Sequence, residues 1–274
     1  MPFRTLNLPD VAQLLHLTDA DIDRLVRDRD IPFERRGGQI VFRLAEIEAW
    51  ASQRILKFSG KRLAEFHQKS SRRTAKLLQR EALLPELIRP DYIDPAMTAK
   101  TKASVVREMA ALADRTGLVC DPAELIATLV AREKLCSTAM PGGVAFLHPR
   151  SPLPYLFEAS CLVFGHTIQP IHFGALDGQP TDLFFLLCIQ NDVLHLHTLA
   201  RLCLMVQKTN LLGELRTGAD AAALHERLLE AEQVVMASLG GTSGPPPIGR
   251  PEPRRAVAPT ATNNSASGRR IAKS

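Results

Sequence analysis

The chain of 274 residues lacks any apolar run near the roughly 20 residues that span a bilayer; the longest, Leu183 to Ile189, has the length of a core strand, and no membrane insertion is expected. The opening residues MPFRTLNLPD carry no apolar h-region, so no signal peptide is expected. The five cysteines, Cys120, Cys136, Cys161, Cys188 and Cys203, are odd in number and form no CxxC pair. Most lie in apolar runs, which points to reduced, buried thiols in a cytoplasmic protein. No group of side chains has metal-ligand spacing, and neither a metal nor another cofactor is expected. Charge is also missing where the overall pI of about 9.1 suggests it. The net +5 resides in residues 241–274, where Arg250, Arg254, Arg255, Arg269, Arg270 and Lys273 face only Glu252, so residues 1–240 sum to zero. A basic tail by itself says little about a nucleic-acid-binding body. The length bounds the chain to one or two domains.

Ordered patterning begins at once. Leu8, Val11, Leu14 and Leu15 recur at helical spacing behind Asn7, a cap residue. Thr18 caps a second helix with Ile22, Leu25 and Val26, and the short break at Leu17-Thr18 predicts a helix-turn-helix. IPFERRGGQIVFR predicts two short strands about Gly37-Gly38. Leu44 to Arg54 returns to helical spacing with Ile47, Trp50 and Ala51 inward. The stretch LPDVAQLLHLTDADIDRLVRDRDIPFERRGGQIVFRLAEIEAW resembles the excisionase-like (MerR-type) winged helix-turn-helix family. That resemblance assigns residues 1–56 to a small DNA-binding head whose second helix enters the major groove while the wing meets the backbone or minor groove. Arg24 and Arg27 then become groove contacts, and Arg35 and Arg36 wing contacts to phosphate. Asp19, Asp21, Asp23 and Asp28 share that second helix and repel phosphate, though the early ones also complement the helix N-terminus. A winged helix kept for protein contacts is the alternative.

Residues 57–97 read as a basic helical connector. Leu63, Phe66, Leu77, Leu78, Leu83, Leu84 and Leu87 supply apolar positions up to Ile88. Lys57, Lys61, Arg62, Lys69, Arg72, Arg73, Lys76 and Arg80 oppose Glu65. Such a helix adds phosphate contacts or pairs with its twin in a homodimer; otherwise it is a solvated link whose leucine-rich end packs on a neighbouring domain. Pro85, Pro90 and Pro95 mark its boundary.

Residues 98–235 alternate helical and strand patterns. Val105, Met109 and Leu112 predict a helix ending at Gly117, and Pro122 opens another with Leu125, Ile126, Leu129 and Val130. Val144 to Leu147, Cys161 to Phe164 and Leu183 to Ile189 predict strands, Leu194 to Val206 a long helix, and Leu224 to Leu229 a closing one. The class is α+β or α/β, an α/β sandwich around a mixed sheet. Within it, REKLCSTAMPGGVAFLH sets Arg132 sixteen residues before His148, behind a glycine-rich turn and an apolar run; FGALDGQPTDLFFLL and HLHTLARL follow. In this order the three motifs resemble the type-2 enzyme IIA family of the phosphotransferase system, the fructose, mannitol and nitrogen-regulatory class.

The resemblance implies that His148 accepts a phosphoryl group from a histidine-containing phosphocarrier. His195 becomes the partner imidazole, with His197 as runner-up; Arg132 neutralises the phosphoryl oxygens and Thr138 adds a hydrogen bond. The chemistry suits those residue types. A neutral imidazole attacks phosphorus near pH 7, and a guanidinium fork holds the oxygens. Gly142 and Gly143 allow close backbone approach. The family pattern has proline before the histidine and glycine after it, where this chain has Leu147 and Pro149; Cys136 and Ala139 also stand at common glycine positions. Residues 236–274, rich in Pro, Gly, Ser and Asn, are expected to be a disordered basic tail. The expectation is a cytoplasmic DNA-binding regulator with a phosphoryl-accepting body. The alternatives are a IIA component passing phosphate to a sugar-permease partner, or a non-catalytic adaptor with a degenerate site.

Overall fold

The computed structural model describes residues 4–74, 82–149, 153–218 and 220–239. The tail from 240 onward and Lys76, Leu77, Leu78 and Arg80 of the connector fall outside those residues.

The head opens with β1 (Thr5–Leu6), α1 (Leu8–Leu15) and α2 (Asp19–Arg27), followed by β2 (Glu34–Arg36), β3 (Gln39–Arg43) and α3 (Leu44–Leu56). Both early helices start in capping boxes, Asn7 with Asp10 and Thr18 with Asp21, so orphan N–H groups at each N-terminus find side-chain oxygens. His16 takes a left-handed φ of 55° to close α1 and turn the chain into α2. Gly37 and Gly38, at φ 56° and 82°, make the tight hairpin, a turn that needs positive φ at both central positions. The strands order β1-β3-β2, with Thr5 opposite Arg43 and Glu34 opposite Val41. Val11, Ile22, Phe42, Ile47 and Ile55 fill the space between sheet and helices.

After α4 (Gly60–Thr74) the body runs through α5 (Leu84–Leu87), β4 (Ile93–Met97), α6 (Lys102–Asp114), α7 (Pro122–Leu135), β5 (Ala139–Met140), β6 (Val144–Leu147), β7 (Cys161–Ile171), β8 (Thr181–Cys188), α8 (Asp192–Lys208), α9 (Leu211–Thr217) and α10 (Ala221–Leu239). The five-stranded sheet has the order β4-β7-β8-β6-β5 and is mixed: β4 lies parallel to β7 and β6 to β8, while β7–β8 and β5–β6 are antiparallel. β6 is buried at every residue and β8 at all but one, which is why both read as unbroken apolar runs rather than alternating ones.

Two stretches differ from the reading of the sequence. Ile93–Met97 is an edge strand of the body's sheet, so the stretch 57–97 is not helical throughout; Pro95 is tolerated there because an edge strand leaves N–H groups unpaired. The basic helix α4 is also no solvated link. Leu63, His67, Ser70 and Thr74 form one buried stripe at helical spacing, while Lys61, Arg62 and Lys69 face solvent. The stripe packs on α8, as does α3 from the head. Residues Leu194 to Met205 of α8 are consequently buried all round, the condition of a helix with neighbours on every side.

Candidate functional site

Three elements bring the site together. His148 lies just past the end of β6, where Pro149 has no N–H with which to continue the ladder. Arg132 comes from the last turns of α7, and His195 from the first turns of α8, whose start is fixed by the Asn191 side chain accepting from the amides of Val193 and Leu194. Arg132 Nε donates to His148 Nε2 at 3.1 Å. The rings of His148 and His195 sit with centroids 5.0 Å apart, tilted by 55°.

The tautomer of His148 follows from its two contacts. Its Nδ1 lies 2.8 Å from the Phe146 carbonyl, which only accepts, so Nδ1 carries the proton. Nε2 is then the bare lone pair, in agreement with the N–H it receives from Arg132. Burial, the Arg132 charge and His195 hold the His148 pKa well below the usual histidine range. Burial and Arg132 bring His195 down to about 4. Both rings are therefore neutral at physiological pH, the state in which an imidazole is a nucleophile.

Arg132 is fully buried. Its Nη1 donates to the Cys136 carbonyl at 3.1 Å, but Nη2 is buried with no hydrogen-bond partner. Among the described residues no carboxylate pairs with this guanidinium. A buried cation without a counter-charge is costly, by several kcal/mol in order of magnitude, and the arrangement favours any anion that enters.

The remaining predicted residues are placed as follows. The Thr138 hydroxyl and amide donate to the Glu133 carboxylate, the hydroxyl at 2.7 Å, and Lys102 Nζ joins that carboxylate at 2.9 Å. Gly142 and Gly143, at φ 93° and 81°, form the β5–β6 turn. A Cβ on Gly143 would meet the Asp182 carboxylate and the Arg216 guanidinium, so these glycines shape the hairpin. His197, two residues beyond His195, points elsewhere around the helix: its Nδ1 lies 2.6 Å from Ser70 Oγ and its ring stacks on His67. In the head, Arg24, Arg27, Arg35 and Arg36 are exposed. Arg24 pairs with Asp21 and Arg36 with Glu34; Asp21 thus serves both the helix cap and Arg24.

Two residues escaped the sequence reading, and a third, Glu133, stood beside Arg132 in the first motif without a role. Ser52, 1% exposed, lies with its Oγ 3.4 Å from His195 Nε2, so the head touches the histidine pair directly. Glu48, one turn earlier on α3, is 2% exposed with both carboxyl oxygens unpartnered. Burial and the neighbouring Asp192 charge raise its pKa to about 10, so it is a neutral acid. Glu133 anchors Thr138. The available signal was a spacing of four between Glu48 and Ser52, which puts both on one helix face.

Fold and site together define a mixed α/β domain that buries two histidines and an uncompensated arginine beneath a helix-turn-helix head. The chain belongs to the family described as the phosphoenolpyruvate-dependent sugar phosphotransferase system, EIIA 2, whose model matches residues 86–231. A helix-turn-helix domain model matches residues 5–55. The chain is 34% identical over 149 residues to a nitrogen regulatory protein of Bradyrhizobium diazoefficiens, covering 53% of this chain and 94% of that one. It is 30% identical to a nitrogen regulatory protein of Pseudomonas aeruginosa, covering 48% of this chain and 85% of that one. Among solved structures, nitrogen regulatory protein IIA-Ntr from Neisseria meningitidis aligns at 28% identity and a TM-score of 0.49, over 54% of this chain and 99% of that one. No helix among the described residues is long and apolar enough to cross a membrane.

Proposed function

We propose that the chain is a cytoplasmic DNA-binding regulator whose body accepts a phosphoryl group on His148 Nε2 from a histidine-containing phosphocarrier. The observation that carries the reading is the buried Arg132 guanidinium, bonded to that nitrogen and lacking an anion. In the transfer the Nε2 lone pair attacks phosphorus in line, and the P–N bond of the carrier's phosphohistidine breaks with its electron pair returning to the carrier's ring. Nδ1 keeps its proton against the Phe146 carbonyl, which stabilises the positive character the ring gains. Arg132 Nε leaves the lone pair as phosphorus approaches, and its N–H groups turn to the phosphoryl oxygens. His195 stands beside the ring as a second donor, and the Thr138 hydroxyl, which donates to Glu133, acts on the site only through that carboxylate.

For the head, the exposed Arg27 and Arg35, with Arg24 and Arg36, supply contacts to a duplex. Removing one arginine that meets a phosphate should lower the slope of log affinity against log salt by about 1. The test has two arms. Incubation with the phosphorylated carrier should give acid-labile label on the peptide holding His148 and none in His148→Ala. A mobility shift on DNA should weaken with salt less steeply in Arg27→Ala and Arg35→Ala. Absence of label in a folded protein would sink the body's role; a salt slope unchanged in both variants would sink the head's.

A further inference from the structure

The geometry points to a competition: the face of the body around His148 and His195 is an interaction surface whose resident occupant is α3 of the same chain, and a phosphocarrier must displace α3 to reach His148. This rests on His148 being the acceptor, but the cover itself can be measured without any phosphoryl transfer.

The occupant is visible in the structure. Ser52 of α3 lies against His195, and His148 is only 2% exposed. Transfer between proteins requires the donor and acceptor imidazoles to face one phosphorus across a few ångströms, near-attack separations being about 3 Å. A protein cannot approach a ring so enclosed. Beside the cover, α4 fastens the N-terminal half to the same helix through Ser70–His197 and through Arg201 Nε donating to His67 Nε2 at 2.8 Å. The α4 seat is rich in short hydrogen bonds, whereas the α3 seat is poor in them. Ser52 makes one long contact, and the protonated Glu48 faces the Asp192 carboxylate. The contact over the active site is thus the weaker of the two, and α3 can lift while α4 stays.

Diethyl pyrocarbonate, which acylates accessible neutral imidazoles, reads the cover on the full chain. The internal standard is the exposed His172. In wild type His148 should react at least tenfold slower than His172. Ser52→Arg, which wedges α3 off the surface, should bring His148 within about threefold of His172 while the buried His67 stays slow, showing that the fold persists. Glu48→Gln removes the carboxyl facing Asp192 and should slow His148 at least a further threefold, a change that unfolding cannot mimic. The inference is overturned if wild-type His148 reacts as fast as His172, or if Glu48→Gln leaves its rate unchanged or raises it. Protection that behaves as expected in a protein that takes no label from the carrier, in Ser52→Arg as in wild type, would sink phosphoryl acceptance alone. Label without protection would sink the cover alone.

Discussion

Two clusters that share α8 contain the same side chains, a pair of imidazoles and an arginine, and they end differently. In the first, His67 and His197 stack with centroids 4.2 Å apart, and Arg201 donates to His67 and to Glu232. Glu232 in turn accepts from the amides of Leu83 and Leu84 at 2.8 and 3.0 Å. Charge meets charge, and the carboxylate's oxygens are occupied. In the second, Arg132 holds His148 and a carbonyl, with one nitrogen unpartnered and no carboxylate in reach among the described residues. The lesson is that residue type does not mark a site; the missing counter-charge does. A charge-paired network fastens α4 to the body, even though His67 Nδ1 is buried there without a partner, whereas the cluster with an unpaired cation is poised for an anion.

The largest expected effect tests the charge-paired side. Arg201→Met leaves Glu232 buried and unpaired and should destabilise the chain by about 3–5 kcal/mol, whereas Arg132→Met, which removes an unpaired buried charge and strands no carboxylate, should be neutral or stabilising by about 1–4 kcal/mol. Urea unfolding of both variants decides it; equal losses would erase the distinction between the clusters.

Acid should come next. Burial, followed by neighbouring positive charge, holds His67 at about 2, His197 at about 3 and His195 at about 4. The facing groups are His197, Arg201 and Lys208 for His67, Arg201 and His16 for His197, and Arg132 for His195. In the unfolded chain these rings titrate near 6.5, so below that pH the unfolded state binds more protons and stability falls toward pH 4. Each ring contributes up to about 1.4 kcal/mol per pH unit. Glu48, facing Asp192 and Arg4, has the opposite sign: its pKa is raised to about 10, and its contribution is lost as pH climbs from 4.5. His197→Gln should flatten the acid limb and Glu48→Gln the alkaline one, as read from unfolding midpoints between pH 4 and 9. An acid limb as steep in His197→Gln as in wild type would count against the buried neutral pair.

The smallest effect concerns Thr138. Because its hydroxyl donates to Glu133, Thr138→Val should cost about 1 kcal/mol of stability and slow transfer from the carrier by less than tenfold. A loss nearer a hundredfold would place Thr138 in direct contact with the phosphoryl group.

Much of this was legible in the amino-acid sequence. The resemblance to the type-2 enzyme IIA family singled out Arg132, His148 and His195, in the first and last of three ordered motifs, and Asn7, Thr18, Pro122 and Gly37-Gly38 marked caps and a turn that the structure contains. What stayed hidden is polar burial. The inward face of α4 is Leu63, His67, Ser70 and Thr74, with one apolar residue among the four, so hydrophobic periodicity cannot find it. Ser52 and Glu48 look like surface residues of an amphipathic helix because the partner that buries them, α8, lies more than a hundred residues away in sequence. β4 was missed because Pro95 argues against a strand everywhere except at an edge.

The most direct measurement is the rate at which phosphorylated carrier labels His148 in wild type, Arg132→Lys and Arg132→Met. The account predicts a loss of at least about a hundredfold in the methionine variant, the scale of removing a preorganised donor to developing charge, with partial recovery in the lysine variant, which restores charge but not the fork. Labelling of Arg132→Met at the wild-type rate would contradict it.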